Sequence, residues 1–316
     1  MATTAQYGHI IKHLETQHLD RLPVLRLKRE LREPFNQSLR DIVSLRDQAH
    51  VLATEAERTF QAAMAPVPPD VDNGSAGFST RACQMFGRGR RLEGSYYNPF
   101  ARTVESITLK HASGVDLLGK LVERVFVPGR FTHIYGDEGV PQLDSGQIVE
   151  LAPDVTKRVL SLKPEEIEEY FVDESTLLMP CSGQLHGVIG RVVLANRWHE
   201  EKVLNNHIVR IVPGTNPKVR MGYLQAALGH PVLGRPRVLR AAFGSSVPEL
   251  SPDDVARVSV PRLSATIENG VADALEEATD QQARADQLEE RVSAGAEQHL
   301  QRFLSGDRSI VDPAVG

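Results

Sequence analysis

Two stretches of this chain, 236 residues apart, are versions of one segment. Residues 7–27 read YGHIIKHLETQHLDRLPVLRL and residues 243–263 read FGSSVPELSPDDVARVSVPRL. That offset superimposes Gly8 on Gly244, Leu14 on Leu250, Arg21 on Arg257, Val24 on Val260 and Arg26-Leu27 on Arg262-Leu263. Tyr7 and Phe243, Ile11 and Val247, Leu19 and Val255, and Leu22 and Val258 match in chemistry. Each copy leads into a long helical pattern. A repeat of such long period predicts a two-unit architecture, which this chain enters near the end of its first unit.

The first helical pattern places Phe35, Leu39, Ile42, Leu45, Ala49, Leu52, Ala56, Phe60 and Ala63 at three- and four-residue steps. That spacing makes one apolar stripe, with Pro34 expected in the first turn, where its missing N–H does no harm. The second places Ile267, Val271, Ala274, Ala278, Gln281, Ala285, Leu288 and Val292 on a 4-3-4-3 spacing, an alanine-rich seam suited to a close helix partner. Each helix would be roughly 45–60 Å long at about 1.5 Å per residue. Antiparallel packing of the two, through Ile42, Leu45, Leu52, Ile267, Val271, Leu288 and Val292, would hide both stripes; two independent surface helices are the alternative. Between them the chain reads as mixed α and β, with strand candidates at 122–127, 176–179, 188–195 and 207–212 and short helices at Met221–Gly229 and 236–242. The order is irregular, unlike tandem βαβ units.

The net charge of −5 conceals a division. Residues 264–305 carry a net of −6, whereas residues 174–247 carry +6 and residues 86–135 carry +4. A basic body beside an acidic helix suits a nucleic-acid binder with a separate docking helix. Cys83 and Cys181 form no C-x-x-C pair and fit a reducing cytoplasm, and no apolar run reaches membrane-spanning length.

Enzyme signatures fail in turn. No phosphate loop of the G-x-x-x-x-G-K-[ST] type occurs, and Gly87-Arg88-Gly89-Arg90-Arg91 suggests phosphate contact rather than a nucleotide cradle. Ser182 lies outside a G-x-S-x-G elbow. Cys181 and His186 lack a third ligand for a metal or an orienting carboxylate for a thiol nucleophile. Asn98-Pro99-Phe100 is shorter by one proline than the adenine-holding turn of methyltransferases and reads as an ordinary turn. No cofactor, metal or catalytic residue is expected.

The body instead carries donor-rich loops. Ser182, Gln184 and His186 lie in a glycine-bounded loop; Asn205, Asn206 and His207 precede a strand; Arg235, Arg237 and Arg240 precede Gly244-Ser245-Ser246. Amides can pair bidentately with adenine and arginine with guanine, while Arg, Lys and Ser hold phosphates. Arg88, Arg90, Arg91, Arg130, Ser182, Gln184, His186, Asn205, Asn206, Arg235, Arg237, Ser245 and Ser246 are therefore the predicted DNA-binding set, although any one of them alone suits a solvated surface.

These residues together resemble the specificity subunit of type I restriction-modification systems. The resemblance opens at Arg91-Leu92-Glu93-Gly94-Ser95-Tyr96-Tyr97-Asn98-Pro99 and continues through Leu177-Leu178-Met179-Pro180-Cys181-Ser182-Gly183 and Gly187-Val188-Ile189-Gly190-Arg191-Val192. It runs on through His207-Ile208-Val209-Arg210-Ile211-Val212-Pro213 and Gly222-Tyr223-Leu224-Gln225-Ala226-Ala227-Leu228, and closes with 243–250 through Val260-Pro261. Each piece is short; their order over residues 91–263 carries the likeness. It implies an α+β fold, a mixed α/β target recognition domain plus two long helices forming an antiparallel coiled coil. The implied divisions are 1–33, the remnant of a first recognition domain; 34–64, a central spacer helix; 65–85, a linker; 86–263, a recognition domain; 264–305, a distal helix; and 306–316, a tail. The implied protein is a non-catalytic, cytoplasmic reader of a DNA half-site. Its implied partners are double-stranded DNA, methyltransferase subunits and a restriction/translocase subunit, with a homodimer or a split partner chain supplying the first recognition domain. A non-catalytic helical interaction adaptor and the detached recognition module of a single-chain adenine methyltransferase are the other readings.

Overall fold

The structure is a computed structural model that describes residues 20, 24–64, 66–67, 77–86, 91–162, 168–244 and 246–312. The chain divides into two compact units, one of Met1–Val43 with Gln287–Gly316 and one of Ser44–Asp286. Two long helices, α1 (Arg29–Ala62) and α9 (Ala265–Leu304), each contribute to both. Their first residues are separated by the repeat offset of the sequence, so the echo of 7–27 in 243–263 carries through to where each helix begins.

In the smaller unit, Leu27 and Val311 form an antiparallel bridge. The Lys28 amide donates to the Ile310 carbonyl at 2.9 Å and the Asp312 amide to the Arg26 carbonyl at 3.0 Å. The Lys28 carbonyl then accepts the amides of Leu31 and Arg32, which starts α1 five residues earlier than Pro34 would have it. Pro34 therefore lies inside the helix, at an exposed position where the missing hydrogen bond faces water. Phe35 packs edge-on against His299 at 5.7 Å, so low numbers meet high numbers and the two runs are antiparallel.

In the larger unit the strands among the described residues form three sheets. β2 (Arg124–Phe126), β8 (Ile208–Val212), β5 (Leu177–Pro180) and β6 (Val193–Leu194) pair antiparallel in that spatial order, with Leu177 opposite Ile211 and Leu178 opposite Arg210. β4 (Arg158–Val159), β3 (Tyr135–Leu143) and β7 (Val203–Leu204) form the second sheet, in which β3 and β7 are parallel. β1 (Gly114–Leu117) pairs with β9 (Ser259–Arg262), the strand that ends the repeated segment. Short helices fill the gaps: α2 (Ala82–Met85), α3 (Pro99–His111), α4 (Leu118–Leu121), α5 (Arg197–Glu200), α6 (Met221–Gly229), α7 (Arg235–Leu239) and α8 (Pro252–Ala256).

The core gathers on α6, whose sequence is apolar on almost every side and whose residues are buried all round except at Gln225 and Gly229. Leu177, Met179, Val209 and Ile211 of the first sheet and Ala56, Phe60, Val271 and Leu275 of the long helices share that core with it. Val271, expected at a helix–helix seam, is thus a core residue of this unit, with Ile267 against it. Gly222 lets α6 come close to α9: a Cβ there would lie 2.7 Å from the Ala272 carbonyl oxygen. The predicted strand at 188–195 is strand only at Val193–Leu194, because Gly187 and Gly190 (φ +69°) turn the preceding residues into a compact loop.

Candidate nucleic-acid interface

Three polar segments, far apart in sequence, are drawn together by main-chain hydrogen bonds. The Cys181 amide donates to the His207 carbonyl at 2.9 Å, and the Gly183 amide to the Pro248 carbonyl at 3.1 Å. Phe243 and Glu249 exchange both backbone bonds, closing a hairpin that Gly244 (φ +93°) turns, and Ser182 bridges to Glu249. The loop 181–187, the turn at 205–207 and the hairpin 243–249 therefore form one surface. Gln184, His186, His207 and Ser246 are exposed on it, and Ser182 and Asn206 are partly so.

Behind that surface runs a chain of side-chain hydrogen bonds. Ser182 Oγ lies 3.0 Å from His207 Nδ1, and the His207 amide donates to Asn205 Oδ1 at 3.0 Å. Asn205 Nδ2 donates to Asp144 Oδ1 at 3.1 Å, which also accepts Gln142 Nε2 at 3.0 Å, while Lys157 reaches the other Asp144 oxygen. Gln142 Oε1 meets His133 Nδ1 at 3.3 Å, and Tyr135 O–H meets the same nitrogen at 3.1 Å. Burial alone would raise the Asp144 carboxyl, but hydrogen bonds from Lys157 and Asn205 hold it below its ordinary value and raise Lys157 in return. Asn205 reaches the main chain of His207, not its ring.

The predicted arginines divide by what their donors touch. Arg130 is exposed. Arg237 is a correction: it is 5% exposed and donates to the carbonyls of Leu233, Ser259 and Ala227 at 2.6, 2.6 and 2.7 Å. Burial lowers its pKa to about 10, and its donors hold α7 to carbonyls of the core. Arg91 is a second correction, since it binds Glu93, Asp254 and the Ala241 carbonyl with its side chain largely covered. Arg235 donates to the carbonyls of Leu185, Gly187 and Ile189, clasping the loop from beneath. Asn205 is buried and belongs to the network instead of the surface. Arg88, Arg90 and Ser245 lie outside the described residues.

Sequence reasoning missed several residues that the fold brings here. Arg191 is exposed, and its charge acts on Arg235. Phe131, His133 and Tyr135 stack at centroid distances of 4.3 and 5.9 Å; their i, i+2, i+4 spacing was the available signal. Asn98 is an N-cap, its Oδ1 accepting the Ala101 amide at 3.3 Å ahead of Pro99. It also lines a cavity of about 350 Å³ with Ser95, Phe100, His186, Arg235 and Arg240, so the Asn98-Pro99-Phe100 turn borders the polar loop. Cys181 is buried, which pushes its thiol up to about 11 and keeps it protonated. Among the described residues no group of three His, Cys, Asp or Glu gathers to hold a metal ion, and no helix is long and apolar enough to cross a membrane.

The fold class is therefore α+β: a mixed sheet-and-helix body built around the ends of two long helices. No family model and no curated protein matches the chain. Solved structures similar to it include two specificity subunits. One is the S subunit of a type I restriction-modification system from M. genitalium, at 13% identity over 93% of this chain and 65% of that one, with a TM-score of 0.44. The other is the HsdS subunit from Thermoanaerobacter tengcongensis, at 15% identity over 94% of this chain and 60% of that one, with a TM-score of 0.34. The chain spans less than two thirds of the length of either.

Proposed function

We propose that this chain is a sequence-specific DNA-binding specificity subunit of a type I-like restriction-modification system. It reads one half-site through its mixed α/β body and docks methyltransferase and restriction subunits, which carry the catalysis, through its long helices. The observation that carries this reading is the meeting of the loop 181–187, the turn 205–207 and the hairpin 243–249 on one donor-rich surface. Gln184, Ser182, His186 and His207 offer groups for base edges there, and Arg130 and Arg191 are exposed cations for phosphates.

The test is selection of the purified chain on a random duplex pool, followed by binding titrations over a range of salt. One enriched motif is expected, with affinity falling as salt rises; Arg130→Ala and Arg191→Ala should each flatten the salt slope by about 0.9 for every phosphate that the arginine neutralises. Gln184→Ala should weaken the selected site more than a scrambled duplex. A flat selection would refute the reading and leave a helical adaptor.

A further inference from the structure

A cavity of about 340 Å³ lies within the larger unit, lined by residues from α1, the 147–153 segment, β6, α5, α6 and α9. Ala49, Ala53 and Ala278 leave the space open on the side of the long helices, and Ile148, Leu194 and Trp198 add apolar wall. Most polar side chains around it are already engaged. Asn196 Nδ2 donates to the Thr279 carbonyl at 3.4 Å, and Gln282 Nε2 donates to the Leu151 carbonyl at 3.2 Å and to Asp286 Oδ1 at 2.7 Å. Arg46 pairs with Asp286 at 3.2 Å. Two lining side chains keep polar atoms in reserve. Gln225 is the one amide of α6, and its Oε1 is buried with no hydrogen-bond partner among the described residues. His199 is 5% exposed, and Asn196 occupies its Nδ1 with an amide at 3.3 Å and Oδ1 at 2.9 Å. That leaves Nε2 as the remaining polar atom of a ring on the cavity wall. A buried acceptor without a donor is unfavourable, and the volume is far more than one bridging water needs.

We propose that this cavity binds a small neutral cyclic amide, whose N–H satisfies Gln225 and whose amide edge meets His199. Such an edge carries a donor and an acceptor side by side, so it serves the imidazole nitrogen in either tautomer. The ring carbons suit the alanines and Leu275 on the helix side, in the manner of a mostly apolar pocket with a few convergent polar groups. A charged occupant is disfavoured. Burial lowers the His199 pKa to about 4 and keeps the ring neutral, and Arg46 and Asp286 already compensate each other. The remaining titratable groups on the wall, His50 and Glu150, are exposed to water. The site rests on this cavity and not on DNA binding, so it stands or falls separately from the proposed function.

Trp198 is the only tryptophan of the chain and lines the cavity, so its fluorescence reports occupancy. Titration of the full chain with glutarimide should change that fluorescence saturably. N-methylglutarimide, which keeps both carbonyls and has no N–H, should bind about tenfold more weakly, and glutarate, the open and charged counterpart, should not compete. Gln225→Met should weaken glutarimide to the level of its N-methyl derivative, and Ala53→Leu should abolish the response by filling the space. Neither variant should lower the melting temperature. Absence of a saturable response would overturn the proposal and leave the cavity to water. Equal binding of glutarimide and its N-methyl derivative, or glutarimide binding that either variant leaves intact, would overturn it as well. A melting temperature lowered by Gln225→Met would assign that amide to the fold and remove the polar end of the site.

Discussion

His230 follows the last turn of α6, and its Nδ1 accepts the amides of Val232 and Leu233 at 3.2 and 3.1 Å. Its ring lies 5.7 Å from that of Phe60 and is 3% exposed. Burial lowers its pKa to about 4, because a charged imidazole there would lose its water. Protonating Nδ1 would also turn an acceptor into a donor facing two N–H groups. The folded pKa is lower than the unfolded one, so between about pH 6.5 and pH 4 the unfolded chain binds more protons. The stability is then complete above the unfolded value and declines as the pH falls. Between pH 7.5 and 5.0 the loss assigned to this one residue is about 2 kcal/mol. His199, which burial also lowers to about 4, acts in the same direction. Comparison of the wild type with His230→Asn isolates the His230 contribution, since an asparagine oxygen can accept the same amides and does not titrate. Urea unfolding at both pH values should show a pH-dependent loss smaller by about 2 kcal/mol in the variant. Equal losses in the two proteins would refute the assignment.

Gly222→Val should lower stability by about 1–3 kcal/mol through overpacking against Ala272, while Gly270→Ala, whose added Cβ meets open space, should raise it by roughly 0.5–1 kcal/mol; thermal unfolding reads both. Arg237→Met leaves three buried carbonyls without their donor and should cost about 3 kcal/mol in urea unfolding, whereas Arg130→Met should leave stability unchanged. Equal stability of the two arginine variants would contradict the structural role given to Arg237.

Patterns set by periodicity were legible in the sequence. The helix at Met221–Gly229 has its predicted bounds, and β8 begins one residue inside the predicted 207–212. The helix starts at Arg29 and Ala265 keep the repeat offset, although the first was expected at residue 34 and the second at 264. Residue chemistry alone was less informative. An arginine that collects carbonyls, as Arg237 does, has the same local sequence character as one that would hold phosphates, because the difference lies in what folds over it. β3 escaped notice since Gly136, Gly139 and Pro141 interrupt it and Asp137 and Glu138 break its apolar alternation. The polar network from Ser182 to Tyr135 joins residues through two sheets, and nothing in local spacing brings Asp144 to Asn205.

The grip of Arg235 on its loop has an electrical consequence. With the Leu185 and Gly187 carbonyls turned inward to one guanidinium, the trans peptide planes point the amides of His186 and Val188 the opposite way. The positive ends of those two peptide dipoles thus point away from the guanidinium, an orientation that favours anions. Under the proposed function, residues 184 and 186 are then free to vary without removing that backbone polarity.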